Sequence, residues 1–120
     1  MPSLEGFYTV ISETRDESSA ELQVRINAGH SVYAGHFPDQ PVAPGAALTQ
    51  MVIDEAHRIQ GNQPLFVGAK QIKFLSVLNP NITDQLVLRY SFATRDSQQQ
   101  FACTGVAGGT IFFKINGAFG

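Results

Sequence analysis

Three prolines spaced three apart, Pro38, Pro41 and Pro44, lead directly into a run of residues that constrains the whole chain. A locked φ at every third position stiffens a backbone and keeps it out of helix and sheet interiors. The last of the three suits the first turn of a helix, where a proline lacks only an amide hydrogen that would have no helical partner. From there Ala46, Ala47, Leu48, Met51, Val52, Ile53, Ala56 and Ile59 are apolar, far more than one narrow stripe. The pattern predicts one long helix from Pro44 to Gln60, buried over most of its circumference and stopped by Gly61-Asn62. In a chain of 120 residues such a helix has to be wrapped by the rest.

The remaining segments read as the wrapping. Glu21 to Asn27 alternates, with Leu22, Val24 and Ile26 on one side and Gln23, Arg25 and Asn27 on the other, the period of a strand with one wet face. Leu4 to Ser12 is also strand-like, and Glu13 to Ser19 has turn composition. After the helix come four more candidate strands. Leu65 to Leu78 lies between Pro64 and Pro80, and Gln85 to Thr94 places Leu86, Leu88, Tyr90 and Phe92 in alternation. Gln100 to Ala107 and Thr110 to Asn116 follow, with turns at Arg95-Asp96-Ser97 and Gly108-Gly109. The expectation is a single α+β domain over residues 1–120, two strands and a helix followed by an antiparallel run of four.

Composition narrows the function classes. Only 15% of residues are charged and the net charge is −2, so eight Lys and Arg cannot form the dense footprint of a nucleic-acid binder. One cysteine excludes an intrachain disulfide framework and a cysteine-rich zinc site. No apolar run approaches a membrane span and the N-terminus lacks a signal-peptide pattern, so the expected location is the cytoplasm. Nine Phe and three Tyr are a large load for so small a core, which calls for a second subunit or an apolar ligand as additional cover.

Residues 30–60 hold all three histidines. The stiff loop delivers Gly45 to the start of the helix, where amide hydrogens are unpaired and the dipole is positive. A glycine there lets a carbonyl oxygen approach, which is the specification of an oxyanion site.

Gly35-His36-Phe37-Pro38-Asp39-Gln40-Pro41-Val42-Ala43-Pro44-Gly45 resembles the signature of the FabZ/FabA-type 3-hydroxyacyl-ACP dehydratases. The lead-in His30-Ser31-Val32-Tyr33, and Ile72-Lys73-Phe74 followed by Asn79-Pro80, are also similar to that family. The resemblance implies a hotdog fold, a curved antiparallel sheet wrapped around one long central helix. It implies that His36 removes the proton alpha to a thioester carbonyl, as an imidazole titrating near neutrality can. Gly45 would donate its amide to the thioester oxygen, with Phe37, Pro38 and Pro44 lining the substrate. It also implies a homodimer or a higher oligomer of dimers, and a substrate carried on acyl carrier protein. No cofactor and no metal are implied.

The family's third participant is a carboxylic acid five residues beyond the glycine, supplied by the other subunit. Here that position is Gln50, and an amide cannot donate a proton as an acid does. Asp54 is about 40° from Gln50 on the helical wheel and His57 about 20° away on the other side, so the three form a polar stripe. In the related enzymes the position four beyond the acid is commonly an amide, so acid and amide are exchanged here. Asp54 is the candidate for the missing carboxylate, although the rise along the helix separates the two positions by ~6 Å.

The other polar residues have plainer readings. His57 reads as a polar residue near a helix end, His30 as a loop residue near the mouth of the site, and Glu55 with Arg58 as a surface pair. Cys103 alternates with Phe101 and reads as a small core residue. Lys70, Lys73, Arg89 and Arg95 stand against only Asp84 between Leu65 and Arg95, which reads either as a basic rim that would steer an acidic carrier or as ordinary solvated strand faces. The function these readings favour is dehydration of 3-hydroxyacyl thioesters to trans-2-enoyl thioesters, in fatty-acid or specialised acyl or polyene biosynthesis. A hotdog thioesterase and a non-catalytic acyl-thioester-binding subunit remain as alternatives.

Overall fold

A computed structural model describes residues 5–33, 41–60 and 66–119. Strands β1 (Tyr8–Arg15) and β2 (Ser19–Ile26) come first, then a 3-10 turn at Ser31–Tyr33 and helix α1 (Gly45–Gln60). Strands β3 (Phe66–Phe74), β4 (Gln85–Arg95), β5 (Gln98–Ala107) and β6 (Thr110–Phe119) complete the order. The six strands form one antiparallel sheet, ordered β1-β2-β4-β5-β6-β3. Leu22, Val24, Leu86, Leu88, Tyr90, Phe113 and Ile115 point from it into a core shared with Ala47, Leu48, Met51, Val52 and Ala56 of α1. The Tyr90 hydroxyl donates to the carbonyl of Val52 at 2.8 Å, tying β4 to the helix. This is the wrapped-helix outline expected of a hotdog fold.

Four expectations need correction. The first turn is shorter than residues 13–19, because Glu13, Thr14 and Arg15 pair with Leu22, Glu21 and Ala20 and extend β1; cross-strand pairing outweighs the turn-like composition. Strand β3 stops at Phe74, not Leu78. The N–H groups of Leu75 and Ser76 both turn to the carbonyl of Phe112, at 2.8 and 3.3 Å, which ends regular pairing. The four later strands are not a consecutive run: β3 pairs with β6 at the far edge, and β4 pairs with β2. Finally, α1 is not buried all round. Ala46, Gln50, Asp54, His57 and Arg58 are exposed, because the sheet covers only one side of the helix.

The turns agree with their residues. Asp96 and Ser97 have φ of 53° and 66°, and Gly108 and Gly109 have 54° and 83°, the paired positive values of tight two-residue hairpins. Among the described residues no helix is long and apolar enough to cross a membrane.

Candidate functional site

Helix α1 begins beside an apolar groove. The N–H groups of Ala47 and Leu48 donate to the carbonyl of Pro44 at 3.0 and 3.1 Å, so the helical ladder starts beyond the Gly45 amide. The segment before the helix is latched in place: Ala43 N–H donates to the carbonyl of Leu78 at 2.8 Å, and Leu78 is buried. The groove, about 360 Å³, is lined by Val42, Ala43, Gly45, Leu48, Phe74 and Val77 among others. A methyl group added to Gly45 would lie 2.9 Å from both Cε2 and Cζ of Phe74, so only glycine leaves that ring its place. Nothing local in the sequence shows this contact; it arises because β3 ends against the helix start.

Along the open face of α1, the Gln50 amide nitrogen donates to Oδ1 of Asp54 at 2.7 Å. The ~6 Å rise between the two positions is therefore bridged directly by the side chains. Both residues are exposed on the same side of the helix. His57 is exposed as well, and its ring lies 5.6 Å from that of Phe119, tilted by 35°. Gly45, Gln50 and Asp54 thus share one element, with Pro44 immediately before it. His36, Phe37 and Pro38 lie outside the described residues.

Beside Asp54 the chain forms a larger cleft, about 600 Å³, between β1 and α1. Tyr8, Val10, Met51, Asp54, Glu55 and Arg58 are among its walls. Glu55 corrects the surface-pair expectation, for it is only 6% exposed. It accepts a short hydrogen bond from the Tyr8 hydroxyl and another from Arg58 Nε at 2.8 Å. Arg58 also bridges to Glu13 of β1. Burial, and then the hydrogen bond to Glu55, hold the Tyr8 hydroxyl protonated well beyond its ordinary range. The Arg58 guanidinium draws the Glu13 carboxyl below its ordinary value. Sequence spacing identified the i,i+3 pair but not its burial, because Tyr8 lies 47 residues away.

His30 also differs from expectation, since it is buried in the fold. Its Nδ1 accepts the N–H of Val32 at 2.9 Å, and Nε2 lies 3.1 Å from the carbonyl of Glu5. That pairing requires the neutral ring with its proton on Nε2. The ring meets Phe7 edge-on at 5.8 Å, so His30 fastens the segment before β1 to the core. Cys103 is buried, as its alternation predicts, and burial pushes its thiol far above the usual range.

The comparisons with known proteins agree with this architecture. Residues 12–112 match the family model described as ApeI-like, the ApeI dehydratase. The chain belongs to the ApeI-like dehydratase family. It is 30% identical over 93 residues to the 3-hydroxyacyl-[acyl-carrier-protein] dehydratase FabZ of Lactococcus lactis subsp. lactis. That match takes in 72% of this chain and spans 62% of the relative's length, under two thirds of it. The dehydratase heterocomplex ApeI:P from Xenorhabdus doucetiae shares the fold, with a TM-score of 0.74 at 19% identity over 92% of this chain and 96% of that one. A candidate thioesterase, yhdA of Lactococcus lactis, does so with a TM-score of 0.65 at 12% identity, covering 99% and 95%. This ApeI-like chain therefore has the hotdog fold, a curved antiparallel sheet around one central helix.

Proposed function

We propose that this chain, acting as one cytoplasmic domain, dehydrates 3-hydroxyacyl thioesters on acyl carrier protein to trans-2-enoyl thioesters. The observation that carries the reading is the Gln50–Asp54 hydrogen bond on the open face of α1. It couples a carboxyl group to the position where the resembling enzymes keep their acid.

In this reading the thioester oxygen accepts from the Gly45 amide, which stabilises charge as it develops on that oxygen. His36 takes the proton from the alpha carbon. As the bond from the beta carbon to the hydroxyl breaks, the electron pair leaves with oxygen and a proton from Asp54 completes the water. Return of the proton from His36 to Asp54 restores both groups. Gln50 fixes the Asp54 carboxyl and keeps its own carbonyl oxygen available to the substrate hydroxyl. A second hotdog subunit would bring its open α1 face to the Gly45 end of the first, and cover the aromatic surface that one small chain leaves. The FabZ relative supports acyl carrier protein as the carrier, and the ApeI:P neighbour, named as a dehydratase heterocomplex, supports assembly with a second chain.

The test is product analysis with a 3-hydroxyacyl and a saturated acyl thioester. The expected result is enoyl product from the first, lowered at least about a hundredfold by Asp54→Asn, the scale of a lost general acid. Full activity in Asp54→Asn removes Asp54 from the mechanism. Free thiol from the saturated thioester would mean hydrolysis, with Asp54 positioning water. Neither product would leave an acyl-binding subunit that requires an active partner chain.

A further inference from the structure

Phe74 closes β3 and is aimed at the start of α1. It pairs in register with Phe113, which is wholly buried, so both rings lie on the helix side of the sheet. Strand β3 is an edge strand, and Ile72 and Phe74, two apart on that side, are 42% and 49% exposed. Regular pairing ends here, because the N–H groups of Leu75 and Ser76 share the carbonyl of Phe112. The ring stands at the end of the strand with its tip against Gly45. Of its atoms, Cε2 and Cζ come within 2.9 Å of where a Cβ on that glycine would be, and Cε1 follows at 3.5 Å. The glycine thus serves two neighbours at once: it gives the ring its place, and its amide lies before the first donor of the helical ladder.

A thioester oxygen that accepts from the Gly45 N–H lies about 2.9 Å from that nitrogen. One of the two groups on the carbonyl carbon, the acyl chain or the sulphur arm, then passes between the Gly45 Cα and the Phe74 ring. The groove decides which. Among the described residues that line it, Ser76 has the only polar side chain. A pantetheine arm carries amide groups that are costly to bury without partners, whereas a hydrocarbon chain needs none. The acyl side therefore lies under the ring, starting with the carbon next to the carbonyl.

We infer that Phe74 is a specificity-determining residue, which selects thioesters unbranched at the carbon next to the carbonyl. The inference rests on the role given to Gly45 in the function proposed above. A methylene passes beneath the ring, but a methyl branch on that carbon meets it as a methyl on Gly45 would. Because the ring is half exposed, it yields to a branch at a cost and does not exclude it outright. One methyl group misplaced in an apolar pocket is worth about 10- to 200-fold, and an open groove belongs at the lower end.

The experiment measures turnover of a 3-hydroxyacyl pantetheine thioester and of its 2-methyl counterpart by the full chain. Calorimetry adds binding of the matching saturated acyl amides, in which nitrogen replaces sulphur and no reaction follows. The variants are Phe74→Ala, the milder Phe74→Leu should the first not fold, and Ile72→Ala as the control on the same side of β3. The unaltered chain should prefer the unbranched member at least about tenfold, in kcat/KM and in binding. Phe74→Ala should bring that ratio below about threefold through gain on the branched member. Phe74→Leu should fall between, and Ile72→Ala should keep the original ratio. An unaltered chain without preference, or a ratio that no variant moves, overturns the inference. So does an equal loss on both members, which would make the ring merely structural, or failure of both amides to bind. Discrimination in amide binding that follows residue 74, with no enoyl product from any thioester, would uphold the inference and reject the proposed reaction.

Discussion

Single positions show how tightly the sheet fits its helix. Gly105 of β5 faces Phe113 of β6, whose ring fills the space a side chain would need. A Cβ there would lie 2.6 Å from Phe113 Cε2, and Phe113 is wholly buried and cannot yield. Gly105→Ala should therefore destabilise the fold by about 1–3 kcal/mol, the usual cost of overpacking, read from the urea midpoint. An unchanged midpoint would mean that β5 shifts freely against β6. Gly45 is different, because the Phe74 ring beside it is about half exposed and can move. Residue by residue, the sequence made part of the candidate site legible. The spacing from Gly45 to Gln50 and Asp54 is local to one helix, and a helical wheel is enough to place it. Phe74 was not legible as a neighbour of Gly45, since their contact depends on where β3 ends.

At the level of elements, β1 is braced against α1 by polar groups in a largely apolar junction. Tyr8 donates to Glu55, and Arg58 joins Glu55 to Glu13. Breaking one partner leaves a buried carboxylate short of a donor, which costs more than the bond itself contributes. Tyr8→Phe should lower stability by about 1–3 kcal/mol. With Glu55→Gln it should form a double-mutant cycle coupled by about 0.5–3 kcal/mol. Additive effects in denaturant unfolding would show that the pair is not a stabilising unit. The strands themselves were largely legible because alternation is a local signal: Leu86, Leu88 and Tyr90 are buried as their spacing requires. The place of β3 beside β6 was not, because no periodicity within a strand records which edge it joins.

For the whole molecule, the tyrosines in and against the core give stability a direction with pH. Burial raises the Tyr33 hydroxyl to about 12, holds that of Tyr8 higher still and lifts that of Tyr90 well above its ordinary value; the bond to Glu55 adds to the effect at Tyr8. These three belong to the turn before the proline-rich loop, to β1 and to β4, so the effect is spread over the fold. Each is a neutral acid when protonated. Below its ordinary value near 10 it is protonated whether the chain is folded or not, and its ionisation affects neither state. Above that value the unfolded chain releases the proton while the folded one retains it, so unfolding becomes easier as pH rises. For Tyr33 the loss runs from about pH 10 to about 12, and each tyrosine contributes a slope of about 1.4 kcal/mol per pH unit within its window. Cys103 acts in the same direction, starting near its ordinary value of about 9. Urea midpoints measured from pH 8 to 11 should change little at first and then fall steeply beyond about 10. Tyr33→Phe should reduce the steepness, because one of the retained protons is gone. A midpoint that stays level to pH 11 would show that these hydroxyls ionise as readily in the folded chain as in the unfolded one.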